Sequence, residues 1–403
     1  MSVESAPTLE GVCEFLVDCL HRTAPTQDTG FPLIRTPNIG KGRLALDEVF
    51  RVSEAVYEVW TQRAVPQPGD LILAREAPAG NVAIVKDGQQ VCLGQRTVHL
   101  RPDSSVVDPD FLCYFLLAPL QQGRLLAGET GVTARHVNMS DIRKLPLEKL
   151  PPLSVQVRVG ALLAAYDDLI ENNRRRMVLL EEAARLLYRE WFVLLRFPGH
   201  EHTRITGGCP TGWTRMPLDE ICTIGRGASP RPINDFLGGD VPWFKIGDAT
   251  ASESPFILAT KEQVTDEGSR RSVFVVPGDL VLSNSATCGV PFFAGIRGCV
   301  HDGWLHFSDY RRVSPQFLYC LFHERQRELV SSVGDGSTQK NLNTAVVGRL
   351  ETVLPNVDGL LRGFDEVAQR NFTLVFNLAK QNVALRAARD LLLPRLMSGE
   401  ITV

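Results

Sequence analysis

The most constraining feature of this sequence is a long amphipathic stretch that runs from Ser154 to Pro198. Apolar or near-apolar side chains recur along it in alternating steps of four and three, with one asparagine among them: Leu162, Tyr166, Leu169, Asn173, Met177, Leu180, Ala184, Leu187 and Trp191. This spacing predicts one long helix with a narrow apolar seam for a second helix. At about 1.5 Å of rise per residue, roughly 30 residues span about 45 Å, which is typical of a spacer or a coiled-coil arm.

The second half of the chain repeats the plan of the first half. The string GFPLIRTPNI around Pro32 returns as DVPWFKIGDA around Pro242, and PGDLIL at Pro68 returns as PGDLVL at Pro277. An apolar helical string, DFLCYFL, is echoed by QFLYCLF, and the loop GETGVTARHVN is echoed by GDGSTQKNLN. Corresponding strings lie about 200 residues apart, which is far too long a period for a solenoid repeat. The pattern therefore predicts two copies of one module.

A second long helix is predicted from about Leu360 to Leu392. Its seam residues recur at steps similar to those of the first helix, and they include Phe364, Val367, Asn371, Leu374, Leu378 and Leu385. Asn173 and Asn371 fall at matching seam positions, where a buried asparagine selects the register of two helices; the alternative is a hydrated edge of the seam.

Together these features predict an α+β fold with a pseudo-twofold internal repeat. Two globular α/β domains are joined by two long helices that pack together as a coiled-coil spacer. The predicted ranges are 1–153 for the first domain, 154–198 for the first long helix, 199–356 for the second domain, and 357–403 for the second long helix and tail. Such symmetry suits a target with two parts, as when DNA readers bind two half-sites.

Composition and charge narrow the class of protein. The 403 residues are 44% hydrophobic and 22% charged, which is typical of globular chains long enough for two or three cores. The net charge of −3 does not indicate a dedicated nucleic-acid binder, but it does not exclude basic patches on part of the surface. The sequence shows neither a long uncharged apolar run nor a signal peptide, so we expect a cytoplasmic protein without a membrane partner. Nine cysteines without Cys-x-x-Cys spacing predict free thiols and no metal site.

Common enzyme signatures are missing from the sequence. It contains no complete phosphate-binding loop, no Gly-x-Gly-x-x-Gly helix opening, no Gly-x-Ser-x-Gly elbow and no His-Glu-x-x-His string. The Asn/Asp-Pro-Pro-Tyr/Phe string with which base-methylating enzymes hold a flipped base is also missing. Together these gaps favour a binding protein. A chain with its own methyltransferase or nuclease activity, and a structural coiled-coil adaptor, are the alternatives.

The residues also carry a family resemblance. The run AAYDDLIENNRRRMVLLEEAARLLYREWF, preceded by LPPLSVQ and followed by RFPG, closely resembles the central conserved region of specificity subunits of type I restriction-modification systems. The closing LLLPRLMSGEI resembles their C-terminal conserved region, and GWTRMPLDEICTIGRGASPRP is similar to the opening of a target-recognition domain. The first domain departs from this pattern, because it has no Gly-Trp opening.

This resemblance implies a non-catalytic subunit of a larger complex. Each of two target-recognition domains would read one half of a split, asymmetric sequence in double-stranded DNA, and two antiparallel helices between them would set the unread gap. Two methyltransferase subunits would dock on the chain and methylate adenine with S-adenosylmethionine. Restriction subunits would join the complex and cleave DNA with ATP and Mg²⁺. The resemblance implies that these cofactors belong to the partner subunits and that this chain binds none.

Polar and basic loops at matching positions of the two modules are the candidates for DNA contact. Arginine and lysine pair with phosphates or guanine edges, and asparagine and glutamine pair with adenine. The candidates in the first module are Arg35, Asn38, Lys41, Arg43, Thr133, Arg135 and His136. Those in the second are Arg226, Ser229, Arg231, Lys245, Ser337, Thr338, Gln339, Lys340 and Asn341. The competing interpretation is ordinary turn composition. The base sequence recognised is not specified by these patterns.

Overall fold

A computed structural model describes residues 6–127, 136–147, 150–285, 287–332 and 342–403. The chain divides into two compact units: unit 1 comprises Met1–Glu171 and Ala384–Val403, and unit 2 comprises Asn172–Val383. Each of the two long helices therefore contributes residues to both units. The predicted domain borders treat the long helices as separate segments, and they stay a prediction.

Unit 1 is built on two small sheets. The strands are β1 (Cys13–Asp18), β2 (Phe31–Ile34), β3 (Gly42–Arg43), β4 (Arg51–Val52), β5 (Leu71–Ala74), β6 (Val82–Ile84), β7 (Cys92–Leu93) and β8 (Thr97–Pro102). Five of them form a sheet in the order β1-β8-β5-β6-β3, and three form a sheet in the order β4-β2-β7. Strands β5 and β6 are buried along their whole length, which explains their uninterrupted apolar sequences.

Four short helices complete the globular part of unit 1: α1 (Glu54–Trp60), α2 (Pro109–Leu117), α3 (Pro119–Leu126) and α4 (Met139–Arg143). Helix α2 begins at an N-cap, because Asp108 Oδ1 accepts a hydrogen bond from the backbone N–H of Phe111 at 2.8 Å. Residues 109–126 thus form two consecutive helices rather than one. Ala118 takes an extended backbone before Pro119, because a residue that precedes proline is disfavoured in the helical region.

Unit 2 contains the same arrangement of strands. They are β9 (Ile205–Thr206), β10 (Cys209–Pro210), β11 (Trp213–Pro217), β12 (Thr223–Arg226), β13 (Leu237–Phe244), β14 (Phe256–Ile257), β15 (Glu262–Val264), β16 (Val273–Val275), β17 (Leu280–Ser283), β18 (Pro291–Ala294), β19 (Gly298–Val300), β20 (Trp304–Ser308) and β21 (Glu351–Pro355). The order β12-β20-β17-β18-β14 matches the five-stranded sheet of unit 1 strand for strand, and β15-β13-β19 matches β4-β2-β7. Strand β16 extends this second sheet, and β9-β10 and β11-β21 form separate pairs.

The helices of unit 2 also follow the plan of unit 1. They are α6 (Leu218–Ile221), α7 (Ile246–Thr250), α8 (Asp266–Ser269), α9 (Pro315–Glu324), α10 (Gln326–Ser332) and α11 (Thr344–Gly348). Helix α9 corresponds to α2, and it likewise starts at a side-chain cap followed by proline: Ser314 Oγ accepts from Phe317 N. The predicted repeat is therefore confirmed at the level of strand order and helix caps.

The repeated Pro-Gly-Asp-Leu strings form equivalent turns in the two units. Asp70 Oδ2 accepts from Gln67 N at 2.8 Å, and Asp279 Oδ2 accepts from Val276 N at 2.8 Å. The intervening glycines have φ of 92° at Gly69 and 98° at Gly278, a region that favours residues without a Cβ. These strings are structural, as tight turns that lead into β5 and β17.

The two long helices are α5 (Leu153–Tyr188), which continues as a π-helical turn at Arg189–Val193, and α12 (Gly359–Met397). Within unit 1, Arg158 Nε donates to Val403 O at 2.8 Å and Arg389 pairs with Asp167. The residue numbers of these contacting pairs rise along α5 and fall along the C-terminal segment, so the two segments are antiparallel. The same antiparallel direction holds inside unit 2, where Asn173 contacts Asn382 and Asn371 contacts the carbonyl of Leu180. The antiparallel pairing agrees with the prediction.

The buried faces of the two helices differ from the predicted seam. Three predicted seam residues are exposed: Leu169 at 52%, Val367 at 44% and Leu374 at 40%. Leu162, Tyr166, Leu180, Leu187, Asn371 and Leu385 are half-buried, and Asn173, Met177, Phe364 and Leu378 are buried. The narrow-seam prediction is wrong for the three exposed leucine and valine side chains. The reason is that each helix also packs on the globular part of its unit, which moves the buried stripe toward residues such as Ile170, Tyr188 and Phe372.

The two seam asparagines, Asn173 and Asn371, do not contact each other. Asn173 Nδ2 donates to Asn382 Oδ1 at 3.0 Å in buried surroundings, whereas Asn371 Nδ2 donates to the carbonyl oxygen of Leu180 at 3.1 Å. The repeat aligns Asn173 with Asn371 by sequence similarity. In antiparallel helices, however, the residues in contact have numbers that rise along one helix and fall along the other. Asn173 and Asn371 therefore occupy similar places in the repeat without touching.

Candidate functional site

The predicted contact residues of unit 1 have different surroundings. Arg35 is exposed, with its guanidinium 4.4 Å from the ring centroid of Phe50. Asn38 is half-buried, and its Oδ1 accepts from Arg35 N at 3.0 Å, so it closes the turn between them. Lys41 is exposed at the edge of a cavity of about 250 Å³ that Tyr114 and Arg389 also line. Arg35 and Lys41 therefore remain accessible.

Arg43 has a structural contact that the sequence did not indicate. Its Nη2 donates to Asp168 Oδ1 at 2.5 Å and to Ala164 O at 3.2 Å, and its side chain is 19% exposed. The guanidinium thus ties β3 to helix α5 within unit 1, and this contradicts its predicted availability for DNA. His136 forms an isolated backbone bridge with Glu76. Several further predicted residues lie outside the described part of the chain: Thr133, Arg135, Ser337, Thr338, Gln339, Lys340 and Asn341.

In unit 2, three predicted residues converge on one aspartate. Ser229 Oγ donates to Asp302 Oδ1 at 2.6 Å, and Arg231 Nη2 lies 3.4 Å from Asp302 Oδ2. Arg226, the last residue of β12, donates from Nε to the carbonyl oxygen of Asp302 at 2.9 Å. The same carbonyl accepts from Nδ2 of Asn284, the residue after β17, at 2.9 Å. We call these five residues the Asp302 cluster.

The electrostatics of this cluster favour an ionised Asp302. The hydrogen bond from Ser229 is the main cause that lowers the pKa of the Asp302 carboxyl, and the charges of His301 and Arg226 add to it. The backbone N–H of Gly303 donates to Nδ1 of His301 at 2.6 Å, and burial lowers the pKa of this imidazole. Asp302 was missed by the sequence interpretation, because the corresponding turn of unit 1 before β8 carries Gln95 and offers no repeated acid.

Lys245 directly follows β13, a strand of the second sheet of unit 2. Its backbone N–H donates to Asp248 Oδ2 at 2.8 Å, which reproduces the turn of Arg35 and Asn38. Its Nζ lies 2.5 Å from Glu262 Oε1 and 4.9 Å from the ring centroid of Trp243. The ammonium charge is therefore partly neutralised, and Lys245 is a weaker candidate for phosphate contact than the arginines of the Asp302 cluster.

The equivalent rim of unit 1 has other chemistry. At the ends of β1 and β5, Asp18 Oδ2 lies 2.7 Å from Arg75 Nη1, and Arg75 Nε donates to Val137 O at 3.0 Å. The Arg75 side chain is only 9% exposed. His21 Nε2 lies 3.0 Å from the same carboxylate. One framework thus carries a buried ion pair in unit 1 and exposed arginines in unit 2.

The described residues offer hydrogen-bonding and cationic side chains rather than a metal site. No group of three or more His, Cys, Asp or Glu side chains among them is placed to hold a metal ion. All nine cysteines are free thiols, and burial raises the pKa of several, including Cys92 and Cys222, each to about 12. Over the described ranges, no helix has both the length and the apolarity needed to cross a bilayer. The arrangement is suited to binding an anionic, hydrogen-bonding surface.

Comparison with known proteins identifies similar chains. Residues 9–182 match a family model described as type I restriction modification DNA specificity domain. The type I restriction enzyme MjaIX specificity subunit of Methanocaldococcus jannaschii is 25% identical over 366 residues, which are 87% of this chain and 82% of the relative. The HindI specificity subunit of Haemophilus influenzae is 20% identical over 401 residues, with 83% and 86% covered.

A solved structure has a similar fold. The crystal structure of a type I restriction-modification system S subunit from M. genitalium aligns with a TM-score of 0.62 at 15% identity. The alignment covers 97% of this chain and 95% of the other. At this identity the likeness supports the α+β fold with two long helices.

Proposed function

The chain belongs to the family of type I restriction-modification specificity subunits, and from this premise we propose that it reads a bipartite, asymmetric DNA site for a multisubunit complex. DNA sequence recognition is the activity of the family. The finer statement, that each unit reads one half-site and that the long helices set the gap, is our proposal.

One observation carries this proposal: the two units share a framework but differ at its polar rim. Their five-stranded sheets have the same strand order, whereas the ends of β1 and β5 hold the Asp18–Arg75 pair and the ends of β12 and β17 hold the Asp302 cluster. Base edges are distinguished by the pattern of donors and acceptors that meets them. Two equal frameworks with unequal donors are therefore suited to two different half-sites.

We further propose that the long helices carry the docking surface for two methyltransferase subunits, which restriction subunits join. Support comes from large apolar side chains that the helices leave exposed in unit 2: Leu179, Leu186, Val367 and Leu374. The two exposed leucines of α5 and the two exposed apolar residues of α12 are each two helical turns apart, so each pair lies on one helix face, and continuous apolar faces are typical of protein interaction sites. On this proposal the chain is non-catalytic and works in the cytoplasm. S-adenosylmethionine, ATP and Mg²⁺ would be used by the partners.

The experiment is a map of methylated adenines across the host genome, with and without the gene for this chain. We expect one bipartite motif with a fixed gap to lose its methylation when the gene is deleted, and to regain it on complementation. An unchanged methylation pattern in the deletion strain refutes the proposal. Incubation of the purified chain alone with DNA and S-adenosylmethionine is the companion assay. Methyl transfer in that assay refutes the non-catalytic role.

A further inference from the structure

We propose that Asp302 is a positioning residue that presents Arg231 to a guanine edge in the half-site of unit 2, an inference that rests on the proposed function. Neither residue is assigned a role by the relatives described above. Asp302 contacts no nucleic acid in this scheme; it acts through the arginine that it holds.

The geometry places one acid at the junction of several chain segments. Asp302 lies between β19 and β20, its carboxylate accepts from Ser229 and faces Arg231, and its carbonyl accepts from Arg226. Asn284, which is 1% exposed, fixes that carbonyl from the end of β17. The acid is therefore itself held at both its side chain and its backbone, which is what a group that orients another residue requires.

The charges of the cluster explain why an acid is present on a surface proposed to face DNA. A lone carboxylate would repel phosphates, but Arg231 faces the carboxylate of Asp302 and Arg226 binds its backbone carbonyl, so two cations accompany one anion and the cluster keeps a net positive charge. Arg231 is 80% exposed, and the carboxylate engages one end of its guanidinium. A guanidinium is a planar fork whose paired N–H groups match O6 and N7 of guanine in the major groove. Holding that fork in advance reduces the ordering cost of the contact.

Unit 1 provides an internal contrast. At the position after β5 that corresponds to Asn284, unit 1 carries Arg75, which is buried by its pair with Asp18 and by its bond to Val137 O, so this arginine offers no comparable fork. The inference therefore concerns one half-site. Loss of Asp302 is expected to weaken the reading of a guanine in that half-site and to leave the other half-site unchanged.

The test is selection of DNA from a randomised duplex library by the full chain, purified with its methyltransferase partner. The variants are Asp302→Ala, Asp302→Asn and Arg231→Ala, and the matched control is Asp240→Asn, which removes an exposed acid of β13. We expect Arg231→Ala and Asp302→Ala to lower the preference for one guanine by about 5- to 150-fold, the value of one bidentate arginine–guanine contact. Asp302→Asn keeps an acceptor for Ser229 but loses the ion pair, so an intermediate loss is expected.

Several outcomes would overturn the inference. If the Arg231→Ala variant loses the preference for guanine and both Asp302 variants retain this preference, Asp302 does not position the arginine. If Arg231→Ala keeps it, the arginine does not read a guanine. An equal loss in both half-sites, or in Asp240→Asn, shows a general effect of charge or folding. If the wild-type complex selects no motif at all, the proposed function itself fails, and that result is distinct from all the others. Melting curves followed by circular dichroism confirm that each variant is folded.

Discussion

Replacement of Asp167 by alanine is expected to destabilise unit 1 strongly. Asp167 is 4% exposed on helix α5; it accepts a hydrogen bond from the Tyr114 hydroxyl at 2.6 Å and pairs with Arg389 of helix α12. The Arg389 side chain is 12% exposed, so the variant leaves a largely buried guanidinium without its main counter-charge.

The size of the effect follows from these contacts. Removal of one partner of a buried ion pair costs about 3–5 kcal/mol, because the remaining charge stays buried. Arg389 keeps a second acid, Asp390, whose Oδ1 lies 2.8 Å from Nη2, and this contact places the expected loss near the lower end, about 3 kcal/mol. The neighbouring residue supplies a matched control. Asp168 pairs with Arg43, but the Asp168 side chain is 66% exposed and Arg43 keeps its hydrogen bond to Ala164 O, so Asp168→Ala is expected to cost less, about 1 kcal/mol.

The assay is hydrogen exchange followed by mass spectrometry across a urea series, which reports the two units through separate peptides. We expect Asp167→Ala to lower the urea midpoint of unit 1 peptides, Asp168→Ala to change it little, and unit 2 peptides to stay near wild type. Addition of Arg389→Met to Asp167→Ala removes the unpaired buried charge and should recover the electrostatic part of the loss, while the cost of the Tyr114 hydroxyl without its acceptor remains. Equal shifts for the two aspartate variants, or no recovery in the double variant, would refute this explanation.

Three further outcomes are expected. Asn173→Leu or Asn382→Leu alone removes the buried Asn173–Asn382 hydrogen bond and should cost about 1–3 kcal/mol, whereas the double variant should cost less than the sum of the two single losses. Urea unfolding of the wild type and the three variants measures this coupling, and additive losses would contradict it. Burial raises the pKa of Cys92 to about 12 and of Cys299 to about 11, so neither thiol should react with Ellman's reagent at pH 8 until urea unfolds the chain; rapid labelling of either in the folded protein would refute this. Burial lowers the pKa of His323 from 6.5 to about 4, so the unfolded state binds more protons between these values and the free energy of unfolding falls as the pH drops through them. Between pH 7 and pH 5 the wild type should lose about 2 kcal/mol more in unit 2 than His323→Gln does, and parallel losses measured by urea unfolding would count against the buried neutral imidazole.

Much of the fold is encoded locally. Strands β5, β6 and β8 lie within alternating or apolar runs of the sequence, and such runs fit buried or half-buried sheets. The two long helices follow from apolar spacing, and the start of α2 follows from Asp108 and Pro109. The antiparallel direction of the helices was implied by the family resemblance, and it agrees with the contacts within each unit.

The candidate site could be predicted only in part. Arg226, Ser229 and Arg231 are close in sequence and were identified by their residue types in a loop. Asp302 and Asn284 come from other strands, and only the pairing of β12, β17 and β20 brings them to these arginines. Arg43 resembled its neighbours by composition, but tertiary packing gave it Asp168 as a partner. A local pattern contains no information about which distant residue a polar side chain will meet.

By itself, the sequence determined that this chain is a duplicated α/β module with two long helices, because apolar periodicity and recurring turn strings are properties of local order along the chain. The tertiary structure decided which face of each helix is buried. It also decided that Asn173 contacts Asn382 and that Asp302 contacts both Arg226 and Arg231. These choices depend on packing between segments that lie far apart in sequence. The free energy of a contact between such segments depends on burial and geometry that arise only when both are in place.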